Sequence, residues 1–260
     1  MISMKAFFVL LPLLVGISLA PRARAEIKAR GSDSTLHVLK ALAAGFASDS
    51  GKKITLEGGG SGAGIKALAA GEATLAFLSR ELNDAEKKSG LSGFAYAKDG
   101  VAIVVHPSNA VAGLTLAELR DIYDGKTVAW ADEKPVVAFN RNTDSGTREV
   151  FQERVLGKDA FSPKAAVKHD GVLISAVEKI PSAIAYTSLA EADETKVRIV
   201  PVAGIKPTPA SLRDGTYPIS RTPTLATRGE PTGDEKAFIS FVLGPKGQAI
   251  VSKTGLVAVK

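Results

Sequence analysis

The 260-residue sequence contains no cysteine. Disulfides and thiolate metal sites are thereby excluded, and stability has to come from a packed core. Histidine is scarce as well. His37, His106 and His169 are scattered without the close spacing of a metal-binding pair, and they read as structural or surface residues. The single tryptophan, Trp130, and the four tyrosines are too dispersed to form a stacking platform for bases or sugars. A strong charge bias is also missing, and no run beyond the first 20 or so residues is apolar and long enough to span a bilayer.

What is present at the amino terminus is a leader. Lys5 precedes an apolar run from Ala6 to Ala20, and Ala23-Arg24-Ala25 gives a small-x-small cleavage pattern. The run is shorter than the roughly 20 residues a membrane-spanning helix needs, so a secretory signal peptide cleaved after Ala25 is expected. Its removal takes Lys5, Arg22 and Arg24 and no acid, so the formal charge falls from +6 to +3. That bias is too weak to argue for nucleic acid or a membrane surface as partner.

Strand and helix patterns alternate along the rest of the chain. "KKITLEG", "ATLAFLS", "GVAIVVHP", "PVVAFNR", "AIAYTS" and "VRIVPVA" read as short strands. Leu39, Leu42 and Phe46 recur at helical spacing and define one apolar face. Thr115 with Glu118 three places on forms a capping box for a helix ending near Gly125. "DEKAFISFVLGPKGQAIVSK" reads as two helices broken at Gly244-Pro245. The alternation predicts an α/β class with mainly parallel sheets. "IKPTPASLRDGTYPISRTPT", residues 205–224, is rich in proline and turn residues and reads as a surface connection or crossover rather than a core element.

Three helix starts carry hydroxyls. Ser32, Ser34 and Thr35 precede the Leu39 helix, Ser61 sits among Gly58, Gly59, Gly60, Gly62 and Gly64, and Ser145 and Thr147 follow Arg141 in "NRNTDSGTREVF". A helix amino terminus offers unpaired N–H groups and a partial positive charge, and glycine lets backbone approach a ligand and form a concave nest. Arginine adds a fork that fits two oxygens of a tetrahedral anion. Each start alone is equally what a helix N-cap needs. Together with Arg141 they point to a small-anion site. The glycine stretch lacks the Gly-Lys-Ser/Thr ending of a P-loop and the spacing of a dinucleotide fingerprint. "GGSGAG" falls out of register with a hydrolase elbow, since Ala63 stands two places after Ser61.

At these residues the chain resembles the periplasmic phosphate-binding proteins of ABC importers. The likeness runs from "GSDSTLHVLKALAAGF" through "GGGSGAGIKALAAGEATLAFLSRELNDAE" and "LAELRDIYDGK" to "RNTDSGTREVF", "AIAYTSLA" and "YPISRTPTLAT". It implies a two-lobed α/β fold with two hinge crossings: one lobe of residues 26–100 and 215–260, the other of 105–210. It implies phosphate held by Ser34, Thr35, the N–H of Leu36, Ser61, Arg141, Ser145, Gly146 and Thr147, with no metal, no cofactor and no catalysis. A periplasmic monomer delivering phosphate to a membrane ABC permease follows from the same likeness, with no nucleic-acid partner.

One position departs from the family. Well-known members carry an aspartate where "LSREL" has Arg80, while other branches of the family carry Ser-Arg there, and the acid before Ser-Gly-Thr is shifted to Asp144. Arg80 is expected either to add donors to the phosphate site or to pair with Glu81 or Asp84 on the surface. A site without that aspartate lacks the acceptor that reads a proton on phosphate, unless Glu57, Glu81 or Asp144 supplies one. Rival readings are the same scaffold for sulfate, molybdate or a phosphonate, a phosphate sensor, and a phosphate-ester hydrolase. The hydrolase reading lacks a nucleophile–base pair.

Overall fold

The computed structural model describes residues 27–259, so the leader and its cleavage site lie outside the described residues. The chain opens with β1 (Ile27–Gly31), α1 (Asp33–Ser50), β2 (Ile54–Glu57), α2 (Ser61–Ala70), β3 (Leu75–Leu78), α3 (Asp84–Lys88) and β4 (Leu91–Ala95). It continues through β5 (Ala97–Val105), α4 (Leu116–Tyr123), β6 (Val137–Asn140) and α5 (Gly146–Phe151), which runs on into a π-helical turn, Gln152–Leu156. β7 (Ala166–Val167), α6 (Asp170–Lys179), β8 (Ala183–Ser188), β9 (Arg198–Val200), α7 (Pro209–Arg213) and β10 (Ser220–Arg221) follow. The chain ends with β11 (Thr224–Arg228), α8 (Gly233–Leu243), α9 (Pro245–Lys253) and β12 (Val257–Ala258).

These strands form two sheets. The five-stranded sheet has the order β2-β1-β3-β11-β4, and the seven-stranded sheet has the path β10-β5-β8-β6-β7 with β9 and β12 also on β5. The chain passes between them at Tyr96, between Arg221 and Thr224, and again after α9, where β12 joins β5; the first two passages touch where Tyr96 N donates to Pro223 O at 3.1 Å.

The sheets are mixed, which corrects the mainly parallel expectation. β1 is parallel to β2 and β3, and β6 to β7 and β8, but β11 is antiparallel to both neighbours and β5 to all of its partners. The reason is geometric. β1, β3 and β6 end where the sheets meet, whereas β5 and β11 begin there, so the crossing strands run against the others. The loops after β1, β2, β3 and β6 are thereby gathered on one seam, outside the carboxyl ends of the parallel strands.

Packing follows the patterning. Leu39, Leu42 and Phe46 of α1 are buried with Phe77 of β3 and Phe238 and Val242 of α8. The predicted capping box of α4 forms: Thr115 Oγ1 accepts from Glu118 N at 3.1 Å, and Glu118 Oε2 accepts from Thr115 N at 2.7 Å. Pro245 starts α9, where its missing N–H costs nothing. In β5, Val101, Ile103 and Val105 join one core cluster while Ala102 and Val104 join another, as period-two alternation requires of a strand covered on both faces. Residues 205–224 do cross back, but they are more than a surface connection. Leu212, Tyr217 and Ile219 lie in the core of the second sheet, and Tyr217 Oη donates to Val101 O at 2.9 Å. Turn residues separate these apolar side chains, so no period announces them.

Leu42 has no exposed surface. Leu42→Ala should lower stability by about 2–5 kcal/mol through lost burial and a residual cavity, seen as a lower urea midpoint by circular dichroism.

Candidate functional site

The hydroxyl-bearing helix starts converge on the seam between the sheets. Ser34 and Thr35 occupy the first turn of α1, with no side chain capping that helix. Ser61 opens α2, and Thr147 lies in the first turn of α5. All four are buried. Ser34 Oγ meets Thr147 Oγ1 at 3.3 Å, and Ser32 Oγ lies 2.9 Å from Ser34 Oγ. Ser61 Oγ accepts from Ser79 N at 3.1 Å and lies 3.3 Å from Ser79 Oγ. Gly146 packs against that pair so closely that a Cβ would fall 2.3 Å from Ser61 Oγ and 2.6 Å from Ser79 Oγ. The Thr35 hydroxyl lies beside the Tyr96 hydroxyl, and neither makes a hydrogen bond of normal geometry among the described residues.

Arg141 follows β6 at the head of the third loop and is buried. Its backbone N donates to Asn140 Oδ1 at 2.8 Å and to Tyr186 Oη at 3.3 Å. Tyr186 Oη donates in turn to Asn140 Oδ1, and its ring stacks on Phe151 at 4.2 Å between centroids. The strand end that carries Arg141 is therefore fixed from three sides. Ser145 caps α5, its hydroxyl accepting from Arg148 N at 3.3 Å. Leu36 continues the first turn of α1, and its side chain packs on the first sheet's core.

The glycines after β2 do not form the open nest expected of them. Gly59 N donates to Asp33 Oδ1 at 2.8 Å, Gly60 N to Gly31 O at 2.9 Å, and Gly62 N to Asp144 O at 3.0 Å. Those N–H groups are taken by protein acceptors. Gly64 instead lets α2 sit on β1, where a Cβ would come within 2.5 Å of Arg30 O.

The Arg80 guanidinium is held by acids. Its Nη1 and Nη2 each donate to Glu86 at 2.8 Å, Nη1 also donates to Glu81 O at 2.8 Å, and Nε lies 2.5 Å from Glu149 Oε2. The surface alternative is displaced as well, since Arg80 is buried and its carboxylates are Glu86 and Glu149 rather than Glu81 or Asp84. Two acids in a poorly solvated setting outcompete distant neutral acceptors for a guanidinium. Burial would lower the Arg80 pKa, but the Glu86 hydrogen bond and the charges of Glu149 and Glu86 raise it overall. For Glu86, burial pushes up while Arg80 and the Asn83 N–H pull down further, leaving its pKa lowered. For Glu149 burial wins over Arg80, leaving its pKa raised. Arg80 and Glu149 line a cavity of about 460 Å³ beside the seam.

The acids named as substitute acceptors are engaged elsewhere or exposed. Glu57 pairs with Arg30 at 3.3 Å, Asp144 with Lys66 at 2.8 Å, and Glu81 faces solvent. Sequence reasoning missed Ser79, Asp99 and Arg221. Arg221 Nη1 donates to Thr147 Oγ1 at 2.6 Å and Nη2 to Ser34 Oγ at 3.4 Å, while Nε and Nη2 hold Asp99 Oδ2 at 2.9 and 2.7 Å. Arg221 stands in "YPISRTPT" with no local pattern, and its acid lies 122 positions away.

Comparison with known proteins places this arrangement. A sequence profile of the PBP superfamily domain matches residues 18–246. The phosphate-binding protein PstS of Staphylococcus epidermidis RP62A is 30% identical over 251 residues, covering 87% of this chain and 77% of that protein. PstS of Staphylococcus aureus USA300 is 29% identical over 260 residues, covering 90% of this chain and 79% of the relative. Among solved structures, a candidate phosphate ABC transporter substrate-binding protein with bound phosphate from Clostridium perfringens superposes with a TM-score of 0.86 at 33% identity, over 91% of this chain and all 100% of the other. An ABC-type phosphate transport receptor from Vibrio cholerae gives 0.77 at 27% identity, over 89% and 99% of the two chains.

The Arg80 network makes a pH prediction. Glu86→Gln should cost about 1.5–3 kcal/mol at neutral pH, the worth of hydrogen bonds to a charged partner. Because the folded Glu86 pKa is lowered, its contribution is present above the ordinary carboxylate range and lost as pH falls through the depressed value. Wild-type and variant melting temperatures should therefore converge in acid, as differential scanning calorimetry at several pH values would show.

Proposed function

Because the chain belongs to the PBP superfamily, a family of solute-binding proteins, we propose that it captures inorganic phosphate between two lobes and hands it to a membrane ABC permease. One observation carries this reading. Hydroxyls from three segments far apart in sequence, Ser34, Ser61 and Thr147, are buried together on the seam, with Arg141 heading the third segment. The hydroxyls already meet one another or a neighbour, Ser34 with Thr147 and Ser61 with Ser79, and an anion set among them accepts from all of them at once. The names of the Staphylococcus, Clostridium and Vibrio proteins support phosphate as that anion.

In this reading the lobes are the two sheets with their helices. Their boundaries are Tyr96 and Pro223 rather than residues 100–105 and 210–215, since β5 and β10 belong to the second sheet. Ser34, Thr35, the Leu36 N–H and Ser61 come from the first lobe, and Arg141, Ser145, Gly146 and Thr147 from the second. Ligand that touches both sides binds the closed arrangement better and shifts the population towards it. The protein works as a periplasmic monomer and a binder rather than an enzyme. No helix among the described residues is long and apolar enough to cross a membrane.

Arg141→Ala removes a buried charge from the clamp. A loss on the order of 2–5 kcal/mol is expected, at least about 30-fold in phosphate affinity by calorimetry. A folded variant that binds within a few-fold of wild type would remove Arg141 from the site.

Acids near the seam are occupied. Asp99 Oδ1 accepts from Gly100 N at 2.8 Å and Oδ2 from Ser188 Oγ at 2.7 Å as well as from Arg221, and Asp33 accepts from Gly59 N. A site built of donors favours HPO₄²⁻ over H₂PO₄⁻ and discriminates weakly against sulfate. Phosphate titrations from about pH 5 to about pH 8.5, spanning the second ionisation, should show weaker binding at low pH with measurable sulfate competition. Flat or tighter binding in acid without sulfate competition would reveal an acceptor in the site.

A further inference from the structure

We propose that Arg221, anchored by Asp99, is a positioning residue that aims the hydroxyl protons of Ser34 and Thr147 at the bound anion. The proposal rests on the phosphate-binding reading above. Arg221 and Asp99 are almost wholly buried, with side-chain exposures of 1% and 0%. A buried ion pair is a poor device for stability alone, because desolvating two charges offsets most of their attraction, and apolar residues of the same volume often do as well. Its geometry indicates a different use. Asp99 Oδ2 receives Arg221 Nε and Nη2, and the carboxylate is itself pinned by Ser188 Oγ and Gly100 N. The guanidinium plane is therefore fixed before any ligand arrives.

The remaining face of that plane reaches both sides of the seam. Nη1 donates to Thr147 Oγ1 at 2.6 Å, and Nη2 lies 3.4 Å from Ser34 Oγ. Ser34 belongs to α1 on the first sheet and Thr147 to α5 on the second, while Arg221 ends β10 at the crossing. A hydroxyl has one proton and two lone pairs. When a guanidinium occupies a lone pair, the hydroxyl proton is repelled from that side and turned towards the next acceptor. Ser34 and Thr147 are thus preset as donors. Asp99 neutralises the added cation, so Arg221 acts by orientation and polarisation rather than by adding net charge to the site. The contact also needs both hydroxyls within reach of one side chain, which ties their orientation to closure.

The test uses the full-length protein and inorganic phosphate. Arg221→Gln combined with Asp99→Asn replaces the ion pair by a neutral hydrogen-bonding pair, and Arg221→Lys keeps the charge beside Asp99 but loses the fork. Melting temperature reports the fold, and calorimetric titration reports affinity. Both variants are expected to stay folded and to lose at least about tenfold in phosphate affinity, about 1.4 kcal/mol. In a Thr147→Val background the same changes should cost markedly less, because one of the hydroxyls being aimed is already gone. A merely structural role would not produce that coupling. Folded variants that bind phosphate within about threefold of wild type, or losses that add fully with Thr147→Val, would overturn the proposal. Should the double variant fail to fold, Arg221→Lys alone decides by the same two criteria. Wild type that binds no phosphate in the same titration would instead overturn the functional reading, and this inference with it.

Discussion

Asp99 and Arg221 sit opposite each other across the antiparallel pairing of β5 and β10, next to two adjoining places where the chain passes between its sheets. A buried ion pair tolerates little misplacement, because each charge left unpaired in a poorly solvated interior costs several kcal/mol. The pair therefore fixes the two crossings relative to each other. Through Ser188 it also fixes the end of β8, and through Ser34 and Thr147 it reaches the first turns of α1 and α5. The seam is organised around this contact. The helix starts that follow β1 and β6 are thereby brought within hydrogen-bonding distance of one side chain, whose position is set by the crossings.

A second layer of charge lies at the rim. Arg80 bridges Glu86 on α3 and Glu149 on α5, and Lys66 on α2 meets Asp144 just before α5. Both contacts join the first sheet's elements to the second's. They differ in weight. Lys66 is largely exposed, and a solvated pair of that kind contributes little. Arg80 is buried and Glu86 half-buried, and their bidentate geometry makes the arginine–carboxylate contact both strong and directional. Arg80 thus ties α3 to α5 at the edge of the seam.

Much of this was legible along the chain. The α1 apolar face, the capping box at Thr115, the break at Gly244-Pro245 and the strand segments at β2, β3, β5, β6, β8 and β9 are local features. Period, cap chemistry and turn residues report them directly. The grouping of Ser34, Ser61 and Thr147 was legible as residue type and as a family likeness. Less was legible where partners decide. β10 is only two residues long and β11 follows it at the end of the proline-rich stretch, and they take their places from pairing with β3, β4 and β5. The glycines after β2 looked like an anion nest, yet their N–H groups go to Asp33, Gly31 and Asp144, all of them distant in sequence.

By itself, then, the sequence determined many of the helices and strands, that no thiol chemistry is available, and that donors are concentrated at three helix starts. Those properties depend on side-chain type and on spacing within a dozen residues. The tertiary structure alone decided the direction of the crossing strands, the partners of Arg80, and the place of Arg221. Each of these is settled by competition among groups separated by many residues. A guanidinium goes to whichever carboxylate the fold brings within reach: Glu86 stands six residues from Arg80, but Glu149 and, for Arg221, Asp99 lie far along the chain, and nothing local records them.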